Sequence, residues 1–279
     1  MSACREFDFS EREFFLLREL VSRHTGISLS AEKQNLVYSR LSRRLRALQL
    51  DSFEKYCSLI NAGNENELEQ FTNAITTNLT SFFREPHHFE HLEQELIPKL
   101  LTDNAQSRRL RIWSAGCSTG EEPYSIAITL REAIAEINNW DIKILATDLD
   151  SSVITRASRG IYNMDTVAGL SKDSLKDCFR KGTGSQQGLV KITADIRKLI
   201  HFHKLNLMQE WPMHGPFDII FCRNVVIYFD KPTQSTLFNR FADIMATGGH
   251  LFVGHSESLR AVTERFELIG KTVYRKAGR

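Results

Sequence analysis

Through the first part of the chain apolar residues recur at helical spacing, and from about residue 109 they gather into short runs separated by helical stretches. Phe14, Leu17, Leu20 and Val21 share one face of a first helix, opened by a Ser10/Glu13 capping box and closed by Gly26. Val37, Leu41, Leu45 and Leu48 predict a second from about Ala31 to Leu48. Asp51 with Glu54 opens a third, carrying Phe53, Tyr56, Cys57 and Ile60, and a fourth from about Glu65 to Thr77 turns Leu68, Phe71 and Ile75 inward. Pro86 starts a connector helix, His88 to about Leu101, followed by a polar linker near Asp103–Ser107.

Beyond the linker, apolar runs at Arg111–Ala115, Ile142–Thr147, Phe217–Cys222 and His250–Gly254 alternate with helices, among them Ser151–Arg159 and Pro232–Ala246. The chain finishes in a glycine-linked antiparallel pair, Phe266–Ile269 and Thr272–Tyr274. Such alternation predicts an α/β domain with a largely parallel, Rossmann-like sheet covered on both faces. Between about 181 and 205 it is interrupted by the turn Gly182–Gly188 and by Leu189–Thr193 and Leu199–His203, which read as strands of a small inserted antiparallel sheet. The expected organisation is a helical domain over 1–85, a connector over 86–106, and the α/β domain over 107–279 with its insertion at about 181–205.

One stretch concentrates candidate chemistry. The strand ending at Ala115 runs into Gly116-Cys117-Ser118-Thr119-Gly120 and then a helix in which Pro123 is expected at the first position. Glycines there allow close backbone approach, and a helix start offers unpaired N–H groups, so Gly116 marks a cofactor turn. The strand Ile142–Thr147 ends in Asp148, roughly 20 to 30 residues past the glycines, where doubly wound folds hold a ribose diol. The glycine spacing is neither that of dinucleotide binders nor that of a P-loop, so a ribose cofactor without pyrophosphate, S-adenosylmethionine, fits best. In the connector Phe82 and Phe83 read as core, and spacing alone does not show whether Asn78, Thr80 and Arg84 form a lid over the cofactor.

Composition narrows the rest. A formal charge of +2 gives no global attraction to nucleic acid or membrane, so any charged partner is met locally. Helix geometry gathers Arg40, Arg43 and Arg44 on one ridge, which suits either a solvated face or docking to an acidic protein surface. Cys4, Cys57, Cys117, Cys178 and Cys222 are scattered without a C-x-x-C pair, against both a disulfide framework and a zinc site. The histidines show no metal-ligand pair, and His87, His88 and His91 read as solvated. Together with the lack of a signal-like or membrane-spanning run, this points to a cytoplasmic protein without a metal, and nothing in the sequence demands more than a monomer.

Four longer motifs carry a family resemblance: Thr77–Glu85, Trp113–Ser125, Phe221–Phe229 and Gly254–Ser258. The chain closely resembles the CheR family of chemotaxis receptor glutamate O-methyltransferases along nearly its whole length. The resemblance implies a class I methyltransferase domain with a helical N-terminal domain and a β-subdomain, using S-adenosylmethionine, without a metal, to methylate glutamates on the cytoplasmic helices of chemoreceptors and releasing S-adenosylhomocysteine. By that likeness Asn78, Thr80 and Arg84 contact the cofactor from the connector, and Glu121 and Asp148 hold its amino group and ribose. Asn206, Leu207, Arg223 and Asn224 line its adenine and methionine ends. The choice between Glu121 and Glu122 stays open. Arg84 and Arg223 are the candidates for steering the substrate carboxylate or the cofactor's charged end. Tyr228 either positions the transferred methyl or packs beneath the last strands. The arginine ridge would meet carboxylate-rich receptor helices, and in some members the β-subdomain grips a receptor-tail peptide. Arg223-Asn224-Val225 replaces the Asn/Asp-Pro-Pro-aromatic motif of amino-methylating nucleic-acid enzymes, so nucleic acid is not the expected substrate.

Overall fold

A computed structural model describes residues 5–278; Cys4 lies outside them. The chain forms two compact units, one running up to Thr77 together with Tyr228–Thr233, the other comprising Asn78–Ile227 and Gln234 onward. Connector residues 78–85 thus belong with the α/β unit rather than the helical one. The cause is local bonding: Asn78 Nδ2 donates to Asp150 Oδ2 at 2.7 Å and the Phe83 N–H to Ser125 Oγ at 2.9 Å.

In the helical unit, α1 (Glu11–Thr25), α2 (Gln34–Ala47), α3 (Phe53–Asn61) and α4 (Glu65–Ile75) enclose a core around Leu17, Leu41, Leu45, Phe53 and Phe71. The Ser10/Glu13 capping box and the left-handed Gly26 end α1 as the sequence indicates. α3 is capped by Ser52, which accepts the Lys55 N–H, rather than by Asp51, whose carboxylate pairs with Lys55 Nζ instead.

The arginine ridge has a use that a helical wheel does not reveal. Arg44 donates to both oxygens of Glu67, 3% exposed, at 2.6 and 3.0 Å, and Tyr56 Oη adds a third bond at 2.8 Å. Arg40 reaches the C-terminal end of α4, donating to the Thr76 carbonyl at 2.9 Å and to Thr77 Oγ1 at 3.0 Å, where helix carbonyls lack partners. Of the three, Arg43 alone is exposed, while half-buried Arg40 and Arg44 fasten α4 to α2.

In the other unit α5 (His87–His91), a π-helical turn (Leu92–Leu96) and α6 (Ile97–Asp103) form the connector helix. Then come β1 (Arg109–Ala115), α7 (Glu121–Ala133), β2 (Asp141–Asp148), α8 (Ser151–Arg159), β3 (Ile161–Asn163), α9 (Lys172–Cys178), β4 (Phe179–Lys181), β5 (Leu189–Ile192) and α10 (Ala194–Arg197). β6 (Ile200–Lys204), β7 (Phe217–Cys222), α11 (Lys231–Ile244), β8 (Met245–Val253), β9 (Phe266–Gly270) and β10 (Val273–Lys276) complete the chain. The main sheet has the order β6-β2-β1-β7-β8-β10-β9, and β3-β5-β4 form a separate antiparallel sheet.

The inserted sheet therefore spans 161–192, earlier than the expected 181–205. Leu199–His203 is not part of it, because β6 pairs parallel to β2 from Ile144↔Ile200 to Asp148↔Lys204 as an edge strand of the main sheet. β7 is buried along its whole length, as a central parallel strand covered on both faces requires. From β1 the chain builds outward through β2 to β6, then returns to β7 on the other side of β1. The strand order thus reverses between β1 and β7, and open α/β sheets bind ligands outside the carboxyl ends of their strands at such a point.

Candidate functional site

The turn after β1 is shaped by the chain's own packing. Gly116 (φ 91°) and Cys117 both donate their N–H groups to the Thr147 carbonyl, at 2.8 and 2.9 Å. A Cβ at Gly116 would stand 2.3 Å from Val225 Cγ2, and one at Gly120 (φ 99°) 2.8 Å from Tyr162 Oη, so neither position admits a side chain. α7 begins at Glu121 with Gly120 as its cap and no capping side chain, which places Pro123 at the third helical position rather than the first. The first N–H groups of such a helix have no partners within the helix and are available as donors.

Two acidic residues flank this turn with capacity to spare. Asp148, at the end of β2, accepts the Ser118 N–H on Oδ2 (2.8 Å) and the Asp150 N–H on Oδ1 (3.0 Å). Burial pushes its carboxyl up while these amides pull it down, the first effect being the larger. Glu121, 4% exposed, accepts the Thr119 hydroxyl at 2.6 Å. A carboxylate has about four acceptor positions, so both can take further donors such as a ribose diol or an ammonium group. Asp150 caps α8 through the Ser152 and Val153 amides and holds Asn78 with its other oxygen. Ser118 Oγ donates to the Asn78 carbonyl at 2.9 Å, tying the connector to the turn a second time.

The next residue along α7 is engaged differently. Glu122 accepts the Ser114 hydroxyl at 2.7 Å on one oxygen and Arg223 Nη1 at 3.0 Å on the other. Arg223, 5% exposed, also lies 3.3 Å from Glu85 Oε2 and donates to the Arg84 carbonyl. Burial pushes the Glu85 carboxyl up, but Arg223 and the His255 N–H draw it net below its usual range. Arg223 thus clamps the connector to α7, with its guanidinium against Glu85 and Glu122.

The other sequence candidates are distributed as follows. Half-buried Arg84 donates to the Leu79 carbonyl at 2.9 Å and closes the connector turn, with Thr80 half-buried inside it. After β6, Asn206 accepts the Met208 N–H, and the buried Leu207 offers its carbonyl to Trp211 Nε1 and to Arg240. Asn224 follows β7 in the left-handed region (φ 58°) and donates its N–H to Glu257. Tyr228 groups with the helical unit, where its carbonyl accepts the Ser28 N–H at 2.7 Å.

Glu257 was quoted in a motif but given no role. It is 5% exposed and accepts four backbone amides, and the only signal in the sequence is an acid two residues beyond a Gly-His pair that ends a strand. His88 is corrected from solvated to fully buried. Its Nε2 faces Thr272 Oγ1 at 2.9 Å, and burial pushes its pKa down to about 3. Potential ligand atoms of Glu85, His87 and His88 lie within 4.8 Å of one another, but the Arg223 cation against Glu85 opposes a metal ion there. Cys117 and Cys222 are fully buried thiols raised well above their usual pKa by burial. A cleft of about 1050 Å³, lined by Phe82, Phe83, Arg131, Asp173 and Arg180 among others, holds none of the cofactor candidates.

Residues 78–275 match the family described as "CheR methyltransferase, SAM binding domain", and residues 12–76 match "CheR methyltransferase, all-alpha domain". The chain is 43% identical over 270 residues to a chemotaxis protein methyltransferase of Salmonella typhimurium, covering 95% of this chain and 90% of that one. It is 43% identical over 275 residues to chemotaxis protein methyltransferase 2 of Pseudomonas aeruginosa, covering 98% and 96%. A chemotaxis protein methyltransferase of Escherichia coli is 41% identical over 270 residues, covering 95% and 91%. With both of its domains matched and its relatives aligned along almost their full length, the chain belongs to the CheR methyltransferase family and is an S-adenosylmethionine-dependent methyltransferase.

Proposed function

We propose that the protein methylates glutamate side chains on the cytoplasmic helices of chemoreceptors, producing glutamate methyl esters for adaptation in chemotaxis. The observation that carries the reading is the pair of carboxylates, half-buried Asp148 and buried Glu121, which flank the glycine turn and retain acceptor capacity. S-adenosylmethionine, when bound, supplies an electrophilic methyl on a sulfonium. Asp148 would hold its ribose and Glu121 its ammonium group. Glu122 is the weaker choice for that contact because Ser114 and Arg223 occupy its oxygens. Gly116 would lie beneath the cofactor, Asn206, Leu207, Arg223 and Asn224 would line its ends, and Asn78, Thr80 and Arg84 would cover it from the connector.

The acceptor needs no strong base. A glutamate side chain titrates at about 4.3 and is ionised at neutral pH, so the protein's task is to orient the carboxylate and exclude water. Arg84 is the proposed cation for the carboxylate, and Tyr228 the proposed positioning group beside the transferred methyl. Cys117 and Cys222 stay protonated thiols, so neither competes with the substrate as a nucleophile. Exposed Arg43 is the part of the arginine ridge best placed to meet acidic receptor helices, and the small sheet is the proposed seat of a receptor-tail peptide. A monomer working in the cytoplasm suits these partners; among the described residues no helix is long and apolar enough to cross a membrane.

The test is methyl transfer from labelled S-adenosylmethionine to a chemoreceptor cytoplasmic fragment, scored as methanol released by base. Label that is base-labile and disappears when the receptor's glutamates are replaced by alanine is the expected result. Base-stable label, or none despite cofactor binding, would overturn the glutamate reading.

A further inference from the structure

Four backbone amides from two loops converge on one buried carboxylate. Glu257 Oε2 accepts the N–H of Asn224 at 2.9 Å and of Gly254 at 2.6 Å, while Oε1 accepts Val226 at 2.9 Å and Ile227 at 3.3 Å. The Glu257 N–H returns a bond to the Gly254 carbonyl at 2.8 Å, so the acid closes a tight turn directly after β8. With two donors on each oxygen, the carboxylate joins the loop after β7 to the loop after β8.

That loop is constrained further by what surrounds it. Asn224 lies at φ 58°, an unusual conformation for a non-glycine residue that persists only where its surroundings impose it. Gly254 leaves room for it: a Cβ there would stand 2.5 Å from Asn224 Nδ2 and 2.8 Å from its backbone nitrogen. The adjacent Val225 in turn fills the space that a Cβ on Gly116 would need. A continuous line of contacts therefore runs from Glu257 through Asn224 and Val225 to the glycine turn after β1.

We infer that Glu257 is a positioning residue for cofactor binding, holding Asn224 and Val225 in the geometry that completes the crevice wall opposite Asp148. The inference rests on the reading of this crevice as the S-adenosylmethionine site. An ionised carboxylate is needed because all four neighbours donate. The amide of Glu257→Gln would turn its NH2 toward one pair of donors whichever way it flipped, leaving either Asn224 and Gly254 or Val226 and Ile227 without an acceptor.

The experiment is calorimetric titration of S-adenosylhomocysteine into wild type, Glu257→Gln, Asn224→Ala and the double variant, with urea unfolding of each. Glu257→Gln is expected to weaken binding roughly tenfold. In the Asn224→Ala background the same change is expected to cost less than in wild type, because one of the two residues through which it acts has lost its side chain. Gly254→Ala provides an independent route, since it displaces Asn224 with Glu257 intact, and should weaken binding to a similar degree. Unchanged affinity in Glu257→Gln, an equal loss in both backgrounds, or unchanged affinity in folded Gly254→Ala would overturn the positioning role alone. Wild type that fails to bind S-adenosylhomocysteine would overturn the cofactor reading and this inference with it.

Discussion

The two sides of the crevice at the end of β1 use buried charge in opposite ways. On the β2 side, Asp148 and Glu121 are oriented by one or two donors each and keep acceptor positions open. On the β7 side, Glu85, Arg223, Glu122 and Glu257 bind one another or backbone amides. Placing a buried charge in position without saturating it leaves it able to recognise a ligand; saturating it makes it part of the frame. The neighbours Glu121 and Glu122 fall on different sides of this divide. In the helical unit Arg43 and Arg44, also adjacent, divide in the same way.

The contrast can be broken most forcefully at Arg223. Arg223→Met leaves the half-buried Glu85 and Glu122 without their cation, and the expected cost in urea unfolding is about 3 kcal/mol. Adding Glu85→Leu and Glu122→Leu should return part of it, and no stability loss in the single variant would refute the clamp. On the opposite side, Asp148→Ala should weaken S-adenosylhomocysteine binding by about a hundredfold in calorimetry, near 3 kcal/mol, with a smaller change in unfolding.

A pH experiment examines the frame from another direction. His88 is held neutral, its pKa pushed down to about 3, whereas an unfolded histidine titrates near 6.5. The unfolded chain thus binds the extra proton first, so this contribution to stability is complete above about pH 6.5 and falls away as pH drops toward 3. Between pH 7.5 and 5.5 the loss should be about 1 kcal/mol larger in wild type than in His88→Gln, read from urea midpoints at each pH. Equal slopes would mean that His88 is not held neutral. The smallest effect is expected at Arg43→Glu, which should alter stability by less than about 0.5 kcal/mol yet lower receptor methylation and spare cofactor affinity, whereas Arg44→Ala should destabilise the helical unit by leaving Glu67 unpaired.

What could be read from the sequence follows the range of the interactions involved. The Ser10/Glu13 box and the Gly26 stop depend on residues within a turn or two of one another, and both are present. The place of Asp148 at the carboxyl end of β2 was legible because a run of apolar residues marks where a strand stops. That Arg223 pairs with Glu122 was not legible, because the two lie 101 positions apart and an arginine's partners leave no mark in its local sequence. Glu257 gave no warning for the same reason, since its donors Asn224, Val226 and Ile227 come from a different loop. β6 was assigned to the wrong sheet because a short apolar run records that it is a strand and not which neighbour it joins. His88 was read by its polarity, although it is packed against Phe252 with ring centroids 5.4 Å apart.

Glu121 and Glu122 test the division between binding and framing acids most directly. S-adenosylhomocysteine titrated into Glu121→Gln and Glu122→Gln, with melting curves for both, should show at least about tenfold weaker binding in the first at nearly unchanged stability. The second should melt earlier and bind with nearly wild-type affinity. The reverse pattern, with Glu122→Gln losing the ligand and Glu121→Gln losing stability, would contradict the account.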